Sequence, residues 1–195
     1  ITNANLGYLY FSIGELETAE STIRKAIKLE PNLANAYSTF GLILKEKGDL
    51  KEAELQTRKA LEIDSNSLEL HINLGLILKS VGNLDQAELI TKKAIEIQPQ
   101  SADAHLNLGS ILQDQGRLIE AKEMTKKAID IDPNINDAHV NLGAILKDLG
   151  RIEEAIKETN KEIEISPNKK APYLLLNDLL KESNLSSFSV KELRL

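Results

Sequence analysis

Small and apolar residues return at spacings of three and four through most of this chain. In residues 84–97, Leu84, Ala87, Thr91, Ala94 and Ile95 keep that rhythm, and Leu118, Ala121, Thr125, Ala128 and Ile129 repeat it one period later, as in a helix with one buried face. A second kind of periodic run, such as HLNLGSILQDQ at 105–115, alternates with the first and is joined to it at a glycine. Pro31, Pro99, Pro133 and Pro167 then stop the second run, with Ser65 at the same place in one copy, because proline cannot continue a helix. The pattern predicts helical hairpins, each with more apolar face than it can bury without a neighbour.

The hairpins share one frame. Counted with Ala102 as position 1, position 8 is Gly7, Gly41, Gly75, Gly109 and Gly143, and position 15 is Gly14, Gly48, Gly82, Gly116 and Gly150, each set 34 residues apart. A glycine inside a helix costs about 1 kcal/mol against alanine, so position 8 implies close approach of the partner helix. The natural contact is position 20, which is Ala19, Ala53, Ala87, Ala121 and Ala155. Position 15 suits a left-handed residue that closes the first helix and reverses the chain. Five units follow, roughly residues 1–33, 34–67, 68–101, 102–135 and 136–169, and no linker divides them. The expectation is one elongated all-α domain, an α-solenoid built by stacking hairpins.

The tail, 170–195, reads as a partial sixth unit or closing helices. Tyr173 and Leu176 fall at positions 4 and 7, Pro172 suits a first helical turn, and Asn177 and Asn184 replace the two glycines. Ser189 and Glu192 have capping-box spacing. The tripeptide at Asn184 also matches a glycosylation acceptor, a weak signal beside its turn position. Glu162 stands at position 27, alanine in the four earlier units; since glutamate is rarely buried unpartnered, that helix end is expected to be less covered. The opening Ile1, at position 2 of the frame, suggests a piece of a longer chain.

Composition narrows the function. With 42% apolar residues but 4% aromatic, the core is built of leucine, isoleucine and alanine. The net charge of −6 without a basic block gives a nucleic-acid partner little support. There is no cysteine, hence no thiol chemistry. No apolar stretch is long enough to span a membrane and no leader pattern opens the sequence, so a cytoplasmic protein without a membrane partner is expected. Phosphate-binding loops, zinc-protease motifs and nucleophile–base constellations are absent. Catalysis, a cofactor and a metal site are therefore not expected.

Glycine at 8, alanine at 20 and 27 and proline at 32 on this period resemble the tetratricopeptide repeat over about 170 residues. The resemblance implies a right-handed superhelix whose concave side is lined by the first helices and binds peptides or partner proteins. Position 4, usually tryptophan in that family, is Asn3, Tyr37, His71, His105 and His139. Equivalent side chains on helices packed about 8–10 Å apart cannot share a zinc ion, which needs each nitrogen within about 2 Å. The histidines are expected to be packed and hydrogen-bonded in place of the ring. Position 24, often aromatic in the family, is Thr57, Thr91, Thr125 and Thr159, whose hydroxyls can bond the preceding turn's carbonyls.

Position 6 forms a polar row of Asn5, Thr39, Asn73, Asn107 and Asn141 on one face of the first helices. Asparagine is a mediocre helix former, yet its amide offers a donor and an acceptor that match a peptide backbone. The row resembles the asparagine ladder in the tetratricopeptide region of O-linked N-acetylglucosamine transferase, which grips the backbone of its substrate protein. Local contacts between neighbouring first helices are the alternative reading. Tyr8, Phe11, Leu42, Ile72, Leu76, Leu106 and Val140 are expected around the row, with Asn35, Glu69, Asp103 and Asp137 at position 2. At the rim, Lys45, Lys79 and Lys147 at position 12 alternate in sign with Glu46, Asp114 and Asp148 at position 13. An apolar strip with an acidic rim suits an extended peptide carrying apolar and some basic side chains.

Position 5 reads Ala4, Ser38, Ile72, Leu106 and Val140, without the lysine that chaperone-tail clamps of this family require. The leading function is a non-catalytic protein-interaction scaffold. The alternative is the substrate-presenting arm of a larger glycosyltransferase or sulfotransferase. Exposed end units stacking on other copies would give end-to-end self-association.

Overall fold

The computed structural model describes residues 2–183, and among them every regular element is an α-helix. Contacts divide the chain into two compact units, residues 1–99 and 100–195. The first holds α1 (Asn3–Ser12), α2 (Leu16–Leu29), α3 (Ala34–Lys47), α4 (Leu50–Ile63), α5 (Leu68–Val81) and α6 (Leu84–Ile97). The second holds α7 (Ala102–Asp114), α8 (Leu118–Ile131), α9 (Ala138–Asp148), α10 (Ile152–Ile165) and α11 (Lys170–Glu182). Consecutive helices pair as α1/α2, α3/α4 and α5/α6 in one unit and as α7/α8 and α9/α10 in the other. Each unit is an all-α stack of helical hairpins.

Local chemistry sets the helix ends. Ser67 and Ser101 accept the Leu70 and Ala104 N–H groups at 3.4 and 3.2 Å, capping α5 and α7. At the hairpin turn Gly82 takes φ 84°, and the Gly82 and Asn83 N–H groups return to the Lys79 and Leu78 carbonyls at 2.9 Å. This left-handed cap ends α5 and redirects the chain into α6.

The position-8 glycines mark the tightest helix contact, as expected, with one refinement. A Cβ on Gly109 would lie 3.2 Å from the Ala121 carbonyl oxygen, but its nearest neighbour would be Thr125 Oγ1. The missing side chain thus makes room for position 24 as well as position 20. The Thr57 and Thr159 hydroxyls donate to the Ala53 and Ala155 carbonyls at 2.9 and 2.8 Å. Those of Thr91 and Thr125, equally buried, have no hydrogen-bond partner. Position 10 supplies apolar bulk: Ile43 and Ile77 are fully buried, whereas Leu9, their equivalent in α1, is 50% exposed.

The fifth repeat departs from the others. Asp137 adopts φ 64° and α9 begins only at Ala138, whereas α3, α5 and α7 begin at position 1. Glu162 is fully enclosed, which corrects the expectation of a less covered helix end. Its Oε1 lies 3.4 Å from both the Asp137 N–H and Lys169 Nζ, and its Oε2 has no partner. Lys169 also reaches Asp137 Oδ1 at 2.9 Å, and that bond holds its pKa above the usual lysine range. A displaced backbone and a borrowed lysine therefore close over the extra carboxylate. Beyond them α11 packs on α9 and α10, with Pro172 in its first turn and Leu179, at position 10, fully buried. Asn184, Ser189 and Glu192 lie outside the described residues.

Candidate functional site

The position-6 row lies on the first helices, but its members are unequal. In the first unit Asn5 is exposed, while Thr39 and Asn73 are buried. The Asn73 amide donates to Ser38 Oγ on the neighbouring first helix at 3.2 Å. In the second unit Asn107 and Asn141 are half-buried on α7 and α9.

A groove of about 660 Å³ opens along the first helices of the first unit. α1 contributes Asn5, Tyr8 and Leu9, and α3 contributes Asn35, Ser38 and Thr39. Asp64 and Ser67 enter from the turn before α5, and Glu69 and Leu70 from α5 itself. Its two charged groups are carboxylates, and its apolar surface includes the half-exposed Tyr8 ring and Leu9. The arrangement offers amide and hydroxyl groups to a polar backbone, an apolar patch to a side chain, and negative charge to a cation.

The tetratricopeptide repeat pattern matches residues 2–33, 34–67, 68–101 and 137–169, with a further match over 91–123. The chain belongs to the tetratricopeptide repeat family. No curated protein matches it significantly. Among solved structures it resembles TTC0263, a thermophilic tetratricopeptide protein of Thermus thermophilus, at 19% identity and TM-score 0.81, over 92% of this chain and 97% of that one. The pilF protein of Pseudomonas aeruginosa is similar at 22% identity and TM-score 0.79, over 93% and 83%. YrrB, described as having an unusual peptide-binding site, is similar at 27% identity and TM-score 0.63, over 88% of each chain.

Within this tetratricopeptide scaffold the expected binding residues separate. Asn5, Thr39, Tyr8, Asn35 and Glu69 come together in the groove. Leu42, Ile72 and Leu76 are half-buried and do not line it, and Val140 is likewise half-buried on α9. Phe11 is a correction: it packs against the core around Ile43 and faces a separate depression with Gly14, Leu16 and Glu46. Six residues along α1 turn it away from the face of Asn5. Leu106 is also corrected, because it is buried in the cluster of Ala128, Ile135 and Ala138. Ser38, Leu9, Asp64 and Ser67 line the groove without having been anticipated. Leu9 sits at a core position of the frame, and only its place in the first helix explains its exposure.

The rim also differs from the simple alternation of signs. Lys45 pairs with Glu46 at 3.2 Å and Lys147 with Glu182 on α11 at 2.9 Å, and the second bond raises the Lys147 pKa. Gln113 donates to Asp148 across α7 and α9 at 2.7 Å. Asp137 is engaged by Lys169. Asp103 is exposed at the start of α7, and Lys79 and Asp114 lie in the last turns of α5 and α7.

The three histidines are buried. His71 donates from Nδ1 to the Ser67 carbonyl at 2.8 Å, and His139 Nδ1 meets Glu158 Oε2 at 2.8 Å. Burial pushes the Glu158 pKa up, but hydrogen bonds from Lys161 and His139 outweigh it and hold the carboxyl below its usual range. Among the described residues no group of three histidine, cysteine or acidic side chains could hold a metal. No described helix is long and apolar enough to cross a membrane.

Proposed function

We propose that this tetratricopeptide chain is a non-catalytic scaffold that holds an extended peptide, or an extended segment of a partner protein, against its first helices. One observation carries the reading: the groove of the first unit presents the Asn5 amide beside Asn35 and Thr39, with Asp64 and Glu69 as its charged groups. The peptide-binding site described for YrrB supports the same use of a related scaffold. The ligand is a segment with apolar and basic side chains, whose backbone meets the amides and whose cations meet the two carboxylates.

On this reading Asn5 in the first unit, and within the second unit Asn107 and Asn141, offer their amides to a bound backbone in the manner of an asparagine ladder. Asn73 and Thr39 support it from within. Leu42, Ile72, Leu76 and Val140 flank it, with Asp103 at its edge. The same proposal includes a cytoplasmic location and end-to-end association of copies; cell fractionation and concentration-dependent mass measurement test these two points.

Peptides selected by display against the whole chain, then measured by calorimetry, test the function. Enrichment of extended sequences with apolar and basic residues, and affinity reduced about tenfold in an Asn5→Ala, Asn35→Ala double variant, is the expected result. Selected peptides that bind this double variant as tightly as the parent would remove the groove from the account.

A further inference from the structure

A second depression lies on the other side of the first unit, where α2 and α4 flank α3. Its volume is about 280 Å³, and its character is opposite to that of the first-helix groove. Phe40 and Tyr37 form its floor, and Arg24, Lys28 and Lys59 stand on its walls, with Gln56 beside them. The Arg24 guanidinium carbon lies 4.5 Å from the Phe40 ring centroid and Lys59 Nζ lies 5.2 Å from that of Tyr37. Such contacts hold the cations over the rings. Among the described residues no carboxylate lines the furrow. Arg24 reaches Glu20 only through Nε, which leaves its terminal nitrogens for another acceptor.

We propose that this furrow is a second binding site, independent of the first-helix groove, and that it takes the side-chain carboxylates of an acidic peptide segment. The chain carries its own comparison. In the frame of the repeat, Gln56, Lys59 and Tyr37 correspond to Glu158, Lys161 and His139 of the fifth unit. There position 23 is a carboxylate: Glu158 bonds Lys161 Nζ at 3.0 Å and His139 Nδ1 at 2.8 Å. The lysine at position 26 is thus met from within by a carboxylate of its own helix. In the second repeat glutamine stands in its place, its amide turned to Glu52 at 2.6 Å, so the three cations face solvent without a carboxylate between them. An acidic segment laid along the furrow would supply one, as Glu158 does internally. The overall charge of −6 makes this local reversal of sign more selective, since an acidic peptide is repelled elsewhere.

The test is fluorescence anisotropy of a short labelled peptide of alternating glutamate and serine with the whole chain at low salt, beside the same peptide carrying phosphoserines. Binding of the glutamate peptide that weakens with added salt, and about fivefold with each of Lys59→Gln and Lys28→Gln, is expected. Gln56→Glu should abolish binding, because the new carboxylate occupies the cations as Glu158 does, with circular dichroism confirming that the variant is folded. Glu158→Gln should leave affinity at the first furrow unchanged. Absence of binding to the parent chain, or undiminished binding to folded Gln56→Glu, overturns the proposal. So does binding confined to the phosphopeptide, or binding lost in the Asn5→Ala, Asn35→Ala variant but kept in Gln56→Glu.

Discussion

The side-chain amide of Asn73 on α5 donates to Ser38 Oγ on α3 at 3.2 Å, joining neighbouring first helices inside a row whose Asn5 meets solvent. One member of the column is therefore a structural tie. A buried hydrogen bond of this kind contributes about 1 kcal/mol net. Asn73→Ala should lower unfolding free energy by about that amount in a denaturant titration. Asn5→Ala, at the exposed end, should change it by less than about 0.5 kcal/mol.

The close approach of α5 and α6 at Gly75 is also testable. A Cβ on Gly75 would meet Thr91 Oγ1 first, and that hydroxyl is buried without a hydrogen-bond partner. Gly75→Ala alone should destabilise by about 1–3 kcal/mol through overpacking. Thr91→Ala in the same chain should restore most of the loss, because the conflicting atoms are gone and no hydrogen bond is given up. A double-mutant cycle by thermal unfolding measures this coupling. Simple additivity of the two substitutions would show that the helices separate freely.

Glu162 supplies a third prediction. It is fully enclosed with one oxygen unpartnered, at a position where Ala26, Ala60, Ala94 and Ala128 stand in the other repeats. Its bonds to Asp137 and Lys169 are long, at 3.4 Å, and a buried carboxylate held this weakly offsets little of its desolvation. Glu162→Ala should raise the unfolding free energy by about 1 kcal/mol, read by chemical denaturation.

The repeating frame made the hairpins, the glycine turn and the position-8 contact legible, because each is a local geometry that residue type at a fixed offset determines. Place within a stack is invisible to such a frame. Leu9 and Ile43 share position 10, yet one is half-exposed and the other fully buried. Asn5 and Asn73 share position 6, but Asn73 finds Ser38 beside it where other repeats offer an aliphatic neighbour. Leu106 packs in one buried cluster with Ile135, a long-range contact that the alternation of residues does not signal. The basic furrow went unread for a different reason. Position 25 is Arg24, Arg58, Lys92 and Lys126 and position 26 is Lys25, Lys59, Lys93, Lys127 and Lys161, a column of cations that the net charge of −6 conceals.

Acid should loosen the second unit through Glu158. Its folded-state pKa is depressed, so its stabilising contribution is present above the unfolded-state value of about 4.3 and is lost as pH falls through the folded-state value. Glu158→Gln should accordingly melt lower than the parent at about pH 7, and the difference should shrink towards about pH 3. A gap that widens in acid would contradict the ion-pair account.

The central claim, that an extended segment lies along the first helices, is tested most directly by a nuclear magnetic resonance titration of the isotopically labelled chain with a selected peptide. Side-chain amide signals of Asn5 and Asn35 should shift, with that of Asn73 nearly still because its donor is already engaged by Ser38. Shifts confined to the second helices, with the Asn5 and Asn35 amides unmoved, would contradict it.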